Sequence, residues 1–141
     1  MSISELDNLV RTRSLKTEPA TQAEFEGLIR SGMRRLTDAA KKSLAPESRF
    51  DLAYNAAHAL SLAALRWHGY RSEHRYLVFQ CLVQTIGLSN AQCRVLDGAH
   101  RKRNLSEYEG DVEIDEALLD SLLRVTNEVA EHVNKLGRVP T

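Results

Sequence analysis

Residues 98–110 read Gly98-Ala99-His100-Arg101-Lys102-Arg103-Asn104-Leu105-Ser106-Glu107-Tyr108-Glu109-Gly110, the densest collection of cations in the chain with an imidazole and a phenol among them. Guanidinium, ammonium and amide donors at this spacing suit a phosphate, and a phenol can orient one or stack on a base. His100, Arg101, Lys102 and Arg103 form the densest local cluster through which nucleic acid would be contacted. Leu96, Ala99 and Arg103 fall at i, i+3 and i+7, so Arg103 continues an apolar stripe that carries its guanidinium toward the rest of the protein. A cation placed there requires a carboxylate, a phosphate or several carbonyls, and Glu107, one turn on, is the nearest. Asn104 and Tyr108 are also one turn apart, and Gly110 is expected to end the helix, which leaves Arg101 to Tyr108 lining a helix end. The plain alternative is a solvated polar helix end.

The elements that must position this stretch are helices. Pro occurs three times and Gly seven times in 141 residues, so few breakers divide the chain into long pieces, and no strand-like alternation bounded by turn residues is evident. A short docking helix is expected from Ser4 to about Leu15, with Leu6 and Val10 on one side. Thr21 with Glu24 offers a capping box for a helix to about Ser43, on which Phe25, Leu28, Ile29, Met33 and Leu36 form one stripe. Arg30, Arg34, Arg35, Lys41 and Lys42 lie mostly off that stripe and read as a solvated face, with a secondary nucleic-acid contact as the alternative. Pro46 suits the first turn of the next helix, apolar around most of its circumference from Phe50 to Leu65 and stopped at Gly69, as a central bundle helix must be. Tyr54 and His58 share one of its faces and are read there as core. A helix from about Ser72 to Ile86 ends at Gly87, the next starts at Ser89 or Asn90, and the last starts at Asp115 and ends at Gly137. Leu118, Leu122, Val125, Val129 and Val133 form its stripe.

The expected fold is all-α, an antiparallel up-and-down bundle of five to six helices. It forms one domain over 1–141, with a docking helix in 1–16, the bundle in 21–136 and a tail in 137–141. Lys+Arg and Asp+Glu both number 19, so no net charge draws the chain to polyanions and any such contact must be local. Cys81 and Cys93 lie in apolar segments without Cys-x-x-Cys or Cys/His ligand spacing; free buried thiols are expected, with no metal and no cofactor. No apolar run approaches the roughly 20 residues of a bilayer span. The first residues also lack a basic region followed by an apolar core, so a cytoplasmic protein without membrane contact is expected.

The string Arg103-Asn104-Leu105-Ser106-Glu107-Tyr108 after a helix, the earlier Tyr54-Asn55-Ala56-Ala57-His58-Ala59-Leu60, the segment His74-Arg75-Tyr76-Leu77-Val78-Phe79 and the long amphipathic last helix occur in this order. Together they resemble the HEPN (higher eukaryotes and prokaryotes nucleotide-binding) domain family, over roughly Phe50 to Val133. The resemblance is greatest to its small prokaryotic members, which form homodimers and are often encoded beside a small nucleotidyltransferase in toxin–antitoxin or defence pairs. It implies a module that binds RNA, a nucleotide or a nucleotidyltransferase-like antitoxin. Many HEPN proteins are metal-independent endoribonucleases in which an Arg holds the scissile phosphate and a His, four to six residues on, helps activate a ribose hydroxyl. On that pattern Arg103 takes the Arg position, Asn104 the polar position after it and Tyr108 the place of the His; no His follows Arg103 until His132. The enzymatic alternative is therefore an RNA-cleaving toxin using Arg103 with Tyr108, or with His100 or His74 recruited in space. A structural adaptor without catalysis is the second alternative.

Overall fold

The computed structural model describes residues 3–110 and 113–141. Its elements are α1 (Ser4–Arg11), β1 (Lys16–Thr17), α2 (Gln22–Ala39), α3 (Pro46–Trp67), β2 (Tyr70–Arg71), α4 (Arg75–Gln80), α5 (Leu82–Ile86), α6 (Asn90–Glu109) and α7 (Glu116–Asn134). The fold is an all-α helical bundle with one two-residue antiparallel pairing, Lys16 opposite Arg71 and Thr17 opposite Tyr70.

The helices alternate in direction. Ala39 accepts from Arg49, a β-carbon on Gly32 would meet Leu60, and Glu24 binds Arg66, so α2 and α3 are antiparallel. Tyr54 meets His100 and Asp51 meets Arg103, which makes α3 and α6 antiparallel as well. Met33 beside Asn134 and Gln22 beside Val139 set α7 against α2. Central α3 buries seven alanine, leucine and aromatic side chains between Phe50 and Leu60, and its alanines let neighbours approach. Gly32 marks the closest approach: a β-carbon there would stand 2.6 Å from Leu60 Cγ and 3.4 Å from the Ala56 carbonyl.

Local sequence explains most helix ends. Ser89 and Gln92 form a full capping box, each side chain serving the other's backbone N–H, and Asp115 accepts from Ala117 N–H. Pro46 is the first residue of α3, and Ala45 before it is extended, as a residue preceding proline must be. That requirement also shortens α2, which ends at Ala39 instead of Ser43, because 40–45 form the turn that reverses the chain. Gly87 ends α5 in the left-handed conformation.

Three expectations are corrected. The helix expected over Ser72 to Ile86 starts at Arg75 and breaks at Cys81 into α4 and α5. Residues 70–71 are held extended because Tyr70 donates to Asp7 at 2.6 Å and Arg71 reaches back to Glu18 and Glu24. The Thr21 capping box is half made: the Thr21 hydroxyl accepts from Glu24 N–H, but the Glu24 carboxylate turns to Arg66 and Arg71. Two guanidiniums outweigh one amide dipole. The C-terminal residues also lie against the bundle: the Trp67 indole donates to the carbonyls of Gly137 and Arg138, and Val139 N–H donates to Gln22.

The main core runs along α2, α3, α6 and α7, and a smaller cluster of Leu6, Leu15, Leu65, Tyr70, Val78 and Cys81 seats α1. Arg30, Arg34, Arg35, Lys41 and Lys42 are exposed. Both cysteines are buried and free. Among the described residues no helix is long and apolar enough to cross a membrane.

Candidate functional site

Tyr54, on α3, is the centre around which polar groups of three helices converge. It is fully buried, its ring stands edge-on to Phe79 of α4 at 5.8 Å, and its hydroxyl lies 2.8 Å from His100 Nδ1 on α6. The Arg103 guanidinium carbon lies 5.1 Å from the Tyr54 ring centroid and that of Arg75, from α4, lies 5.5 Å from it. One aromatic ring thus holds two cations that would repel each other in its absence. Arg75 is steadied from the other side by a 3.0 Å bond to Asn55 Oδ1.

His100 is fixed at both nitrogens. Asn104 Nδ2 lies 3.2 Å from Nε2. With that amide donating, Nε2 accepts, and the imidazole proton sits on Nδ1 facing the Tyr54 oxygen. Burial lowers the His100 pKa, Arg75 and Arg103 lower it further, and Asp97 opposes them. His58, one turn beyond Tyr54, is lowered to about 4 by burial, then by Arg75, Arg103 and His100. Burial raises the Tyr54 phenol against the opposing pull of the two arginines. Below pH 7 the unfolded chain therefore takes up a proton at His58 before the folded protein does. Stability is expected to fall as pH drops from about 6.5 toward 4, by up to about 3 kcal/mol. Urea melts at pH 7 and pH 5 check this: the His58→Gln variant should show a smaller difference between them.

Arg103 is 28% exposed, and its partners are at the rim: Glu107 Oε1 at 2.8 Å from Nη1 and Asp51 Oδ1 at 3.9 Å from Nε. Both carboxylates are more than half exposed, so these pairs are worth about 0.3–0.5 kcal/mol each and exchange readily for a stronger anion. A cleft of about 540 Å³ opens here between Arg103 and Ser106 of α6 and Glu47, Ser48 and Asp51 of α3. The cluster therefore combines fixed positive charge, two imidazoles held neutral and an open side.

The predicted site residues divide. His100, Arg103 and Asn104 are brought together, with Glu107 paired to Arg103 as its spacing indicates. Tyr108 is 90% exposed on another side of α6, five residues and so about 140° round the helix from Arg103. Arg101 is exposed, Lys102 is half-buried, and His74 is an exposed residue before α4 whose N–H donates to Ser72. Sequence reasoning placed Tyr54 and His58 in the core without their polar roles, and it passed over Arg75. The signal was there: a tyrosine and a histidine one turn apart on an otherwise alanine-rich helix. Among the described residues no group of three or more His, Cys, Asp or Glu side chains is arranged to hold a metal ion. No model of a known protein family matches the chain, and no curated protein matches it.

Proposed function

We propose that the chain is a HEPN-type helical module that binds RNA or a nucleotide through its phosphate, with Arg103 and Arg75 as the charged clamp and His100 and Asn104 beside them. One observation supports this most: two guanidiniums from different helices converge on a single buried ring, and the ion pairs that occupy Arg103 are weak, rim-exposed ones. Such an arrangement is preorganised for an anion larger than a carboxylate. The resemblance that motivates the reading adds a second copy of the chain and a nucleotidyltransferase-like antitoxin as partners, within a prokaryotic toxin–antitoxin or defence pair.

Arg103→Ala is the test. The variant is expected to melt within about 1 kcal/mol of the parent, because its ion pairs are exposed. It should bind single-stranded RNA about tenfold or more weakly, since a charge-assisted bond to phosphate is lost. The salt dependence of log affinity should flatten by about 0.7 for the one phosphate contact removed. Unchanged RNA affinity with a large loss of stability would instead identify a structural adaptor.

A second reading, an endoribonuclease, has one observation of its own: the His100 imidazole is neutral at neutral pH and lies one turn from Arg103 on the same helix. A neutral imidazole can take a proton from a ribose hydroxyl, a role for which a phenol is poorly suited at pH 7. RNA cleavage in the presence of a chelator, lost in His100→Gln and retained in Tyr108→Phe, would establish it.

A further inference from the structure

The chain has four tyrosines, and they are used in different ways. Tyr54 and Tyr70 are buried with their hydroxyls bonded to His100 and Asp7. Tyr76 leaves 52% of itself in solvent although it sits on α4 directly after Arg75 and two residues before buried Val78. Its ring centroid lies 6.2 Å from that of His100, and the His100 ring is in turn 6.2 Å from Tyr54, the ring under the two guanidiniums. His100 thus neighbours both a half-exposed aromatic ring and the ring that carries the cationic clamp.

We propose that Tyr76 is a base-stacking platform beside the phosphate clamp, so that the site takes an unpaired nucleotide of single-stranded RNA in preference to a bare phosphate or a duplex. This rests on the phosphate-binding reading above and adds the base to it. A nucleotide presents a flat π-face a short sugar away from its phosphate, and an exposed phenol ring linked through His100 to the ring beneath two guanidiniums is complementary to both ends. Stacking also selects against duplex, where each base face is already covered by its neighbours. Arg75 links the two halves of the site, because it carries one cation and precedes the platform in the same helical turn. Exposure makes Tyr76 dispensable to the core, which keeps a substitution there interpretable.

The experiment compares end-labelled oligoadenylate with an abasic sugar-phosphate chain of the same length and charge, and with a blunt duplex, by fluorescence anisotropy. The parent protein is expected to favour oligoadenylate over the abasic chain by about tenfold, the usual worth of one stacked base, and to bind the duplex more weakly. Tyr76→Ala should bring the ratio of the first two near one while leaving abasic affinity unchanged, and Tyr76→Phe should retain the preference. Arg103→Ala should weaken both chains together. A parent ratio near one, or a ratio that survives in Tyr76→Ala while Arg103→Ala still weakens both chains, overturns the platform and leaves the phosphate clamp standing. Failure of the parent to bind either chain overturns the clamp, and the platform with it.

Discussion

Arg66→Met is expected to lower the melting temperature by roughly 10–20 °C, the equivalent of about 3–5 kcal/mol in a chain of this size. Arg66 is only 1% exposed at the end of α3, yet it makes five hydrogen bonds. Nε and Nη2 take the two oxygens of Glu24, at 2.8 and 3.2 Å, and Nη1 and Nη2 reach the carbonyls of Glu18, Tyr70 and Pro19 at 2.6, 3.1 and 3.0 Å. A thioether fills the volume but removes all five bonds, including the buried one to the Tyr70 carbonyl, and each buried group left unpaired costs about 1–3 kcal/mol. Lysine should rescue little, because one ammonium cannot reproduce a planar fork that spans five acceptors. The same guanidinium holds the Glu24 carboxyl below its ordinary pKa, chiefly by hydrogen bonding, against burial that pushes it up. A depressed carboxyl stabilises the fold above pH 4.5, and that contribution disappears as pH falls through the folded value. Thermal melts from pH 7 to pH 3 check both statements: the parent should lose stability from this source only below about pH 4.5, and Arg66→Met should show a smaller such component, the remainder coming from the Arg71 pair with Glu24.

Leu60→Asp is expected to abolish the cooperative melt altogether. Leu60 is fully buried in the middle of α3, and its Cγ faces Gly32 at the point where α2 comes closest. An ionised carboxylate there has no cationic partner within the core cluster of alanine, leucine, valine and aromatic side chains around it. Removing the leucine side chain alone costs about 2–5 kcal/mol, and burying the charge adds several more, which together approach the whole stability of a typical domain. Loss of near-ultraviolet circular dichroism with no thermal transition is the expected record; a sharp melt close to the parent's would remove Leu60 from the core. Leu60→Ala, by comparison, should still fold, with a lower midpoint.

These two positions differ in how far sequence alone reaches. Leu60 lies in a run so uniformly apolar that its helix had to be central, and no partner needed naming to say so. Arg66 lies at the end of the same run, and apart from the Tyr70 carbonyl its partners, Glu18, Pro19 and Glu24, are more than forty residues earlier. Nothing local distinguishes it from a solvated cation at a helix C-terminus. The same division governs the helix from Ser72 to Ile86, where apolar spacing is continuous through Cys81 but the chain breaks there, its start having been set at Arg75 by tertiary bonds from Tyr70 and Arg71 to residues near the N-terminus.

For the candidate site the division is sharper. The stripe of Leu96, Ala99 and Arg103 correctly turned Arg103 toward the bundle, and the one-turn spacing correctly paired it with Glu107. Sequence also placed His100 and Asn104 together, because neighbours on one helix face are fixed by 3.6 residues per turn. The same helical arithmetic separates Tyr108 from Arg103, and the structure leaves it in solvent. What only the tertiary structure decided is the other half of the cluster: Tyr54 supplies the ring, Arg75 the second guanidinium and Tyr76 an open aromatic face. Those groups come from α3 and α4, and side chains on different helices meet only once packing fixes the distance and rotation between them. Stretch 98–110 therefore carried the charge legibly, whereas its pairing with Tyr54 and Arg75 was set by packing around α3.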